Sequence, residues 1–208
     1  MGASAAHERC VILGGSFDPV HGAHLALAEA AQARGAVAEL LWLPAARSPF
    51  KDAAPRIADA DRVDLLRAVV EARPGERIEL CELQRPAPSY MVDTLQLLKA
   101  NGEERPLALL MGQDTLAGLP RWKQADELTR LAEFWVAPRP GAAPLDEQLV
   151  EVRQALPGLR VTTLDFVPTG LSSTALRACL ARGEDPGAEA LPRPVWELIQ
   201  ARRLYRAG

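Results

Sequence analysis

The chain has 208 residues, 48% of them hydrophobic, and a formal net charge of -3. That is enough for one buried core with at most a small appendage, and it supplies no positive field of the kind nucleic acid requires. No stretch approaches the ~20 apolar residues of a membrane span, so a cytoplasmic protein without membrane contact is expected.

Residues 1–9 are small and polar and read as a loose end, so His7 is assigned no role. The three cysteines, Cys10, Cys81 and Cys179, are odd in number and widely spaced in apolar segments. They predict buried, reduced thiols rather than a disulfide framework or a metal site. Cys10 to Leu13 is a short strand that stops at Gly14-Gly15. Ala and Leu then recur at helical spacing from His24 to Arg34, with Gly35 as the stop. Glu39 to Leu43 reads as a strand, and a loop with Pro and Arg runs to about Ala58. Asp61 to Ala72 reads as a helix, Arg77 to Leu83 as a strand, and Ser89 as the cap of a helix ending at Ala100. Leu107 to Met111 is the most apolar run and predicts a central parallel strand. A helix from Asp126 to Ala132, a strand from Phe134 to Ala137, a helix from Asp146 to Ala155 and a strand from Arg160 to Phe166 follow. Helices over Ser172–Arg182 and Val195–Arg203 close the order. Alternating strands and helices imply an α/β fold with a parallel sheet and right-handed crossovers. Ligands in such sheets sit beyond the carboxyl ends of strands, so the loops after Leu13, Leu43 and Met111 are the places to look.

The first of these loops reads Gly14-Gly15-Ser16-Phe17-Asp18-Pro19-Val20-His21-Gly22-Ala23-His24. It is neither a Walker loop nor a Gly-x-Gly-x-x-Gly turn. The adjacent glycines permit close backbone approach to a ligand, and the amides after them can face phosphate oxygens. Two histidines three apart at a helix start share a face, where the helix end adds partial positive charge. Such a site stabilises charge on a phosphate without attacking it. Gly-Gly-Ser-Phe-Asp-Pro-Val-His-x-x-His resembles the opening signature of the nucleotidyltransferase superfamily, and its long form resembles the bacterial nicotinate-nucleotide adenylyltransferases. Ala23 stands where that family usually has glycine.

Leu171-Ser172-Ser173-Thr174-Ala175-Leu176-Arg177 reads physically as a capped helix start with Arg177 one turn in. It resembles the Ile-Ser-Ser-Thr-x-Ile-Arg signature of the same superfamily. The loop from Ala45 to Lys51 resembles the family's Pro-Pro-His-Lys segment, with Phe50 in place of the histidine and Lys51 kept. Glu82 to Leu95 resembles the family's Glu-Leu-x-Arg to Thr-Leu stretch, with Met91 replacing a threonine. Gly112-Gln113-Asp114 resembles its Gly-x-Asp, Trp122 its ring-stacking tryptophan, Arg139-Pro140-Gly141 its Arg-Pro-Gly, and Leu204-Tyr205-Arg206 its carboxyl-terminal end.

The resemblance implies a single Rossmann-like nucleotidyltransferase domain over residues 1–208, its carboxyl-terminal part, 168–208, being helical. It implies transfer of an adenylyl group from ATP to nicotinate mononucleotide, with Mg²⁺ on the phosphates and no protein metal cage. His21, His24 and Lys51 would be catalytic. Gly14, Gly15, Ser16, Phe17, Ser172, Ser173, Thr174 and Arg177 would join His24 in holding ATP. Ser16, Lys51, Tyr90, Thr94, Gly112, Asp114, Trp122, Lys123 and Arg139 would hold the mononucleotide. The expected partners are these two small molecules, with room for a homo-oligomer. Two alternatives stay open: another acceptor, such as nicotinamide mononucleotide, or a nucleotide-binding regulator without chemistry, which Phe50, Met91 and Ala23 would favour.

Overall fold

The computed structural model describes residues 8–47, 49, 50, 54–139, 141–167 and 170–206. Lys51, Pro140 and the first seven residues of the expected loose end lie outside them. In chain order the elements are β1 (Arg9–Gly15), α1 (Gly22–Arg34), β2 (Val37–Pro44), α2 (Asp59–Val70), β3 (Glu76–Ile78), α3 (Met91–Ala100), β4 (Leu107–Gly112), α4 (Gln113–Gly118), α5 (Ala125–Leu131), β5 (Ala132–Ala137), α6 (Leu145–Ala155), β6 (Val161–Thr163), α7 (Ser173–Ala181) and α8 (Arg193–Arg202). The sheet order is β3-β2-β1-β4-β5-β6. The pairs β1/β4, β4/β5 and β5/β6 are parallel, with Val11 opposite Ala108 and Leu109 opposite Phe134. The order reverses beside β1, so the loop after β1 lies at the topological switch point of a doubly wound sheet. No described helix is long and apolar enough to cross a membrane.

The chain divides into two compact units. The first comprises Met1–Leu13, Leu27–Leu41 and Tyr90–Pro168. Its core is the continuous apolar run of β4 flanked by β1 and β5, with Val11, Ile12, Leu109, Leu110, Phe134 and Trp135 all buried. Each such side chain contributes roughly 1.5–3 kcal/mol relative to exposure. The second unit comprises Gly14–Ala26, Trp42–Ser89 and Thr169–Gly208. Here α2 packs on α8, and Arg202 holds Asp61 and Asp64 at 2.8 Å each.

Several local expectations change. Arg9, expected in the loose end, opens β1. The strand expected over Arg77–Leu83 shrinks to β3, because the Glu79 carboxylate takes the Cys81 amide and a turn closes from Leu83 N–H to the Leu80 carbonyl. The strand expected to reach Phe166 ends at Thr163. Ser89 does not cap α3. Its hydroxyl accepts from the Ala46 amide, and Tyr90 holds the cap position without a side-chain bond. Residues 113–121, left unassigned by periodicity, form α4 and a 3₁₀ turn, both too short to show a repeat. Cys10 and Cys81 are buried as expected, whereas Cys179 is only half-buried.

Candidate active site

The second unit gathers the loop after β1, the start of α1 and the amino end of α7. His21 sits just before α1, and the amides of His24 and Leu25 both donate to its carbonyl. In return the His21 amide donates to His24 Nδ1 at 3.3 Å. This is the geometry of a capping box, with an imidazole in the place usually held by Glu or Gln. An Nδ1 that accepts leaves the His24 proton on Nε2. The two rings stack with centroids 3.8 Å apart, and the Phe17 ring meets His24 edge-on at 5.0 Å.

Phe17 is 1% exposed and packs on Trp42, so its ring is a wall of the loop rather than a ligand contact. Its backbone is left-handed, with φ 45°. This conformation costs a bulky residue about 1–3 kcal/mol and persists only where packing enforces it. Gly15 leaves room beneath it, since a Cβ there would stand 3.2 Å from the Phe17 ring, a tight contact.

His21 Nε2 lies 3.1 Å from Ser173 Oγ, so the imidazole pair and the tip of α7 meet in one place. Ser172 caps α7, its Oγ accepting from the Ala175 amide. The remaining first-turn amides have no partner within the helix and carry its partial positive charge. Arg177 Nη2 donates to Thr174 Oγ1 at 3.2 Å, and Nη1 donates to the Asp18 carbonyl at 2.8 Å.

His21 is 5% exposed, and burial lowers its pKa from 6.5 to about 4. The ring is therefore neutral at pH 7. Its Nδ1 is buried without a hydrogen-bond partner among the described residues. A bare lone pair is less costly there than an orphaned N–H, which places the proton on Nε2, donated to Ser173. Between pH 6.5 and about 4 the unfolded chain binds more protons at this residue than the folded one. The stability from neutral His21 is thus complete above pH 6.5 and is lost as pH falls towards 4, about 3 kcal/mol in all. Urea unfolding at pH 7 and pH 4.5 is expected to show a larger acid loss for the native chain than for His21→Gln. Equal losses would contradict the assignment.

Two residues that sequence reasoning did not single out hold the loop. Arg62 is 0% exposed, although a helix arginine reads as a surface residue. It donates to the carbonyls of Ser16 at 2.6 Å and Ala45 at 2.8 Å, and pairs with Asp59. It thereby ties together the loops after β1 and β2. Asp18 is buried, and its carboxylate accepts from the Arg56 amide at 2.8 Å and from the Tyr205 hydroxyl at 2.7 Å.

The residues expected to hold the mononucleotide, apart from Ser16 and Lys51, lie in the first unit. Lys123 pairs with Asp93 at 2.9 Å and sits 4.7 Å from the centroid of the Tyr90 ring. Arg139 pairs with Asp114, and its amide donates to Gln113 Oε1. Gly112 caps α4, so Asp114 lies in the first helical turn rather than at the cap. Thr94 is buried, and its hydroxyl donates to the Tyr90 carbonyl. Trp122 follows the 3₁₀ turn, its amide donating to the Leu119 carbonyl. Among the described residues, Cys10, Glu39 and Glu103 bring possible metal-ligand atoms within 4.8 Å of one another. Arg105 already bridges the two carboxylates there.

The model of the cytidylyltransferase-like family matches residues 12–179, a span that contains both the histidine pair and Arg177. The chain belongs to that family. Among curated family members, a probable nicotinate-nucleotide adenylyltransferase of Gloeobacter violaceus is 38% identical over 199 residues, covering 95% of this chain and 96% of the relative. One of Laribacter hongkongensis is 39% identical, covering 94% of each. The fold matches the Plasmodium falciparum nicotinic acid mononucleotide adenylyltransferase complexed with NaAD, with a TM-score of 0.76 at 17% identity over 96% of this chain and 98% of that one.

Proposed function

We infer that the chain transfers an adenylyl group from ATP to nicotinate mononucleotide, giving nicotinate adenine dinucleotide and pyrophosphate in NAD biosynthesis. The observation that carries this reading is the stacked His21–His24 pair in hydrogen-bond reach of the α7 tip. Its support is a chain aligned nearly end to end with relatives named for that activity.

The acceptor phosphate attacks the α-phosphorus in line and pyrophosphate leaves. Positioning and charge stabilisation suffice, and no covalent enzyme intermediate is needed. His24, its proton fixed on Nε2, donates to an α-phosphate oxygen as charge builds. His21, neutral, orients Ser173 and holds the ring stack. Gly14, Gly15 and Ser16 supply backbone near the phosphates. The α7 turn, with Ser173, Thr174 and Arg177, receives the β- and γ-phosphates. Lys51 steadies migrating charge. Tyr90, Trp122 and Lys123 serve the pyridine end of the acceptor, and Gly112, Asp114 and Arg139 its ribose and phosphate.

Asp18 is committed to Tyr205 and Arg56, so it offers no ready carboxylate for an ion. A divalent ion, Mg²⁺ in this reading, would be held by the triphosphate oxygens as part of the substrate and would supply neutralisation of phosphate charge. The reading places the enzyme in the cytoplasm with two small-molecule substrates and neither nucleic acid nor membrane as partner.

Steady-state pyrophosphate release tests the proposal, with ATP and, in turn, nicotinate mononucleotide, nicotinamide mononucleotide and phosphopantetheine. The highest kcat/KM is expected for nicotinate mononucleotide. A preference for another acceptor would overturn the substrate, and no turnover with any of them would favour a nucleotide-binding regulator.

A further inference from the structure

The carboxyl-terminal segment after α8 turns back through two left-handed, non-glycine residues, Arg203 at φ 54° and Tyr205 at φ 64°. Such a backbone costs an aromatic residue about 1–3 kcal/mol and needs a compensating contact. The contact is the bond from the Tyr205 hydroxyl to Asp18 Oδ1, 2.7 Å long and linking residues 187 apart. Burial, and after it the Asp18 charge, raise the Tyr205 pKa, so the phenol stays protonated and donates. Asp18 is three residues before His21 in the loop after β1. Its other oxygen, Oδ2, accepts from the Arg56 amide and forms a long ion pair with Arg177 Nη1, 3.8 Å away and beyond hydrogen-bond range. The Asp18 main-chain carbonyl, by contrast, already receives Arg177 at 2.8 Å.

We propose that Tyr205 is a positioning residue for ATP: its phenol occupies the Asp18 carboxylate and so keeps that carboxylate from drawing Arg177 out of the long pair into a direct, hydrogen-bonded one. Hydrogen-bonded to the neutral Asp18 carbonyl and the Thr174 hydroxyl, with the carboxylate at the longer distance, the guanidinium keeps most of its charge for the triphosphate. Without the phenol, a buried carboxylate oxygen loses its donor, and Arg177 already lies 3.8 Å from the other oxygen. The long Asp18–Arg177 pair then tightens into a direct one, and the β- and γ-phosphates lose a charge-assisted contact. This inference rests on the assignment of Arg177 to the triphosphate made above.

The test measures KM for each substrate, kcat and calorimetric ATP binding in the native chain, Tyr205→Phe and Tyr205→Phe/Asp18→Asn. Tyr205→Phe is expected to raise KM and Kd for ATP about tenfold, with KM for the mononucleotide unchanged. The double variant, which removes the competing charge, is expected to recover most of that loss, an outcome a merely structural role would not give. It also serves as the second test should the single variant fail to fold. An unchanged ATP affinity in Tyr205→Phe, an equal rise in both KM values, or a double variant still about tenfold weaker would overturn the proposal. Because ATP binding is read directly, failure of the native chain to turn over nicotinate mononucleotide would reject the substrate assignment alone.

Discussion

His24→Ala is expected to lower kcat for pyrophosphate release by about a hundredfold to a thousandfold while leaving the fold intact. Removal of one preorganised donor from a developing oxyanion costs on the order of 10²–10³ in turnover. His24 is unusually well preorganised for that task. Its Nδ1 is engaged by the His21 amide, which fixes Nε2 as the protonated atom. Its ring is held between His21 and the edge of Phe17. No reorientation or tautomer change is then needed as charge develops. The stability cost is small by comparison, since a lost capping interaction is worth about 0.5–2 kcal/mol. Circular dichroism and the melting temperature should therefore stay close to those of the native chain. A variant that releases pyrophosphate at a near-normal rate would refute the role.

Gly22→Ala is expected to be the most damaging small substitution for stability. A Cβ at position 22 would lie 2.0 Å from the Glu189 carbonyl oxygen and 3.2 Å from its carbon. The neighbour is backbone, and it is pinned there because the Gly22 amide donates to the Ala190 carbonyl at 3.0 Å. Neither side can yield without breaking that bond and moving the start of α1 together with the segment before α8. The expected loss is about 3 kcal/mol, which for a chain of this size lowers Tm by roughly 10 °C. Ala23→Gly, at the adjacent position, is expected to cost no more than about 1 kcal/mol. A thermal melt distinguishes the two, and a Gly22→Ala protein melting within ~2 °C of the native chain would contradict the close contact.

That pair of positions shows where the sequence was readable and where it was not. Against the family signature, Ala23 is one of three departures, with Phe50 and Met91, because glycine is usual there. The structure assigns the steric need to Gly22, and the reason is residue 189, whose approach no local pattern announces. Arg62 is a similar case. Its place in an amphipathic helix suggests a solvated charge, yet it is buried on two loop carbonyls. Local signals held where local physics decides the outcome. The apolar run of β4 is central because it has no polar residue to send to solvent, and Ser172 caps α7 because its hydroxyl reaches an amide three residues on. Ser89 had the same capping chemistry available, but a bond to Ala46, distant in sequence, took its hydroxyl instead. The histidine pair and the α7 tip were expected at one site on the strength of two separated motifs, and the 3.1 Å contact between His21 and Ser173 joins them.

The most direct measurement is a crystal structure of the enzyme with a non-hydrolysable ATP analogue and Mg²⁺. The account predicts an α-phosphate oxygen within hydrogen-bond distance of His24 Nε2, with the β- and γ-phosphates on the first-turn amides of α7 and on Arg177. A triphosphate bound away from His24, or one whose far end avoids the amino end of α7, would contradict it.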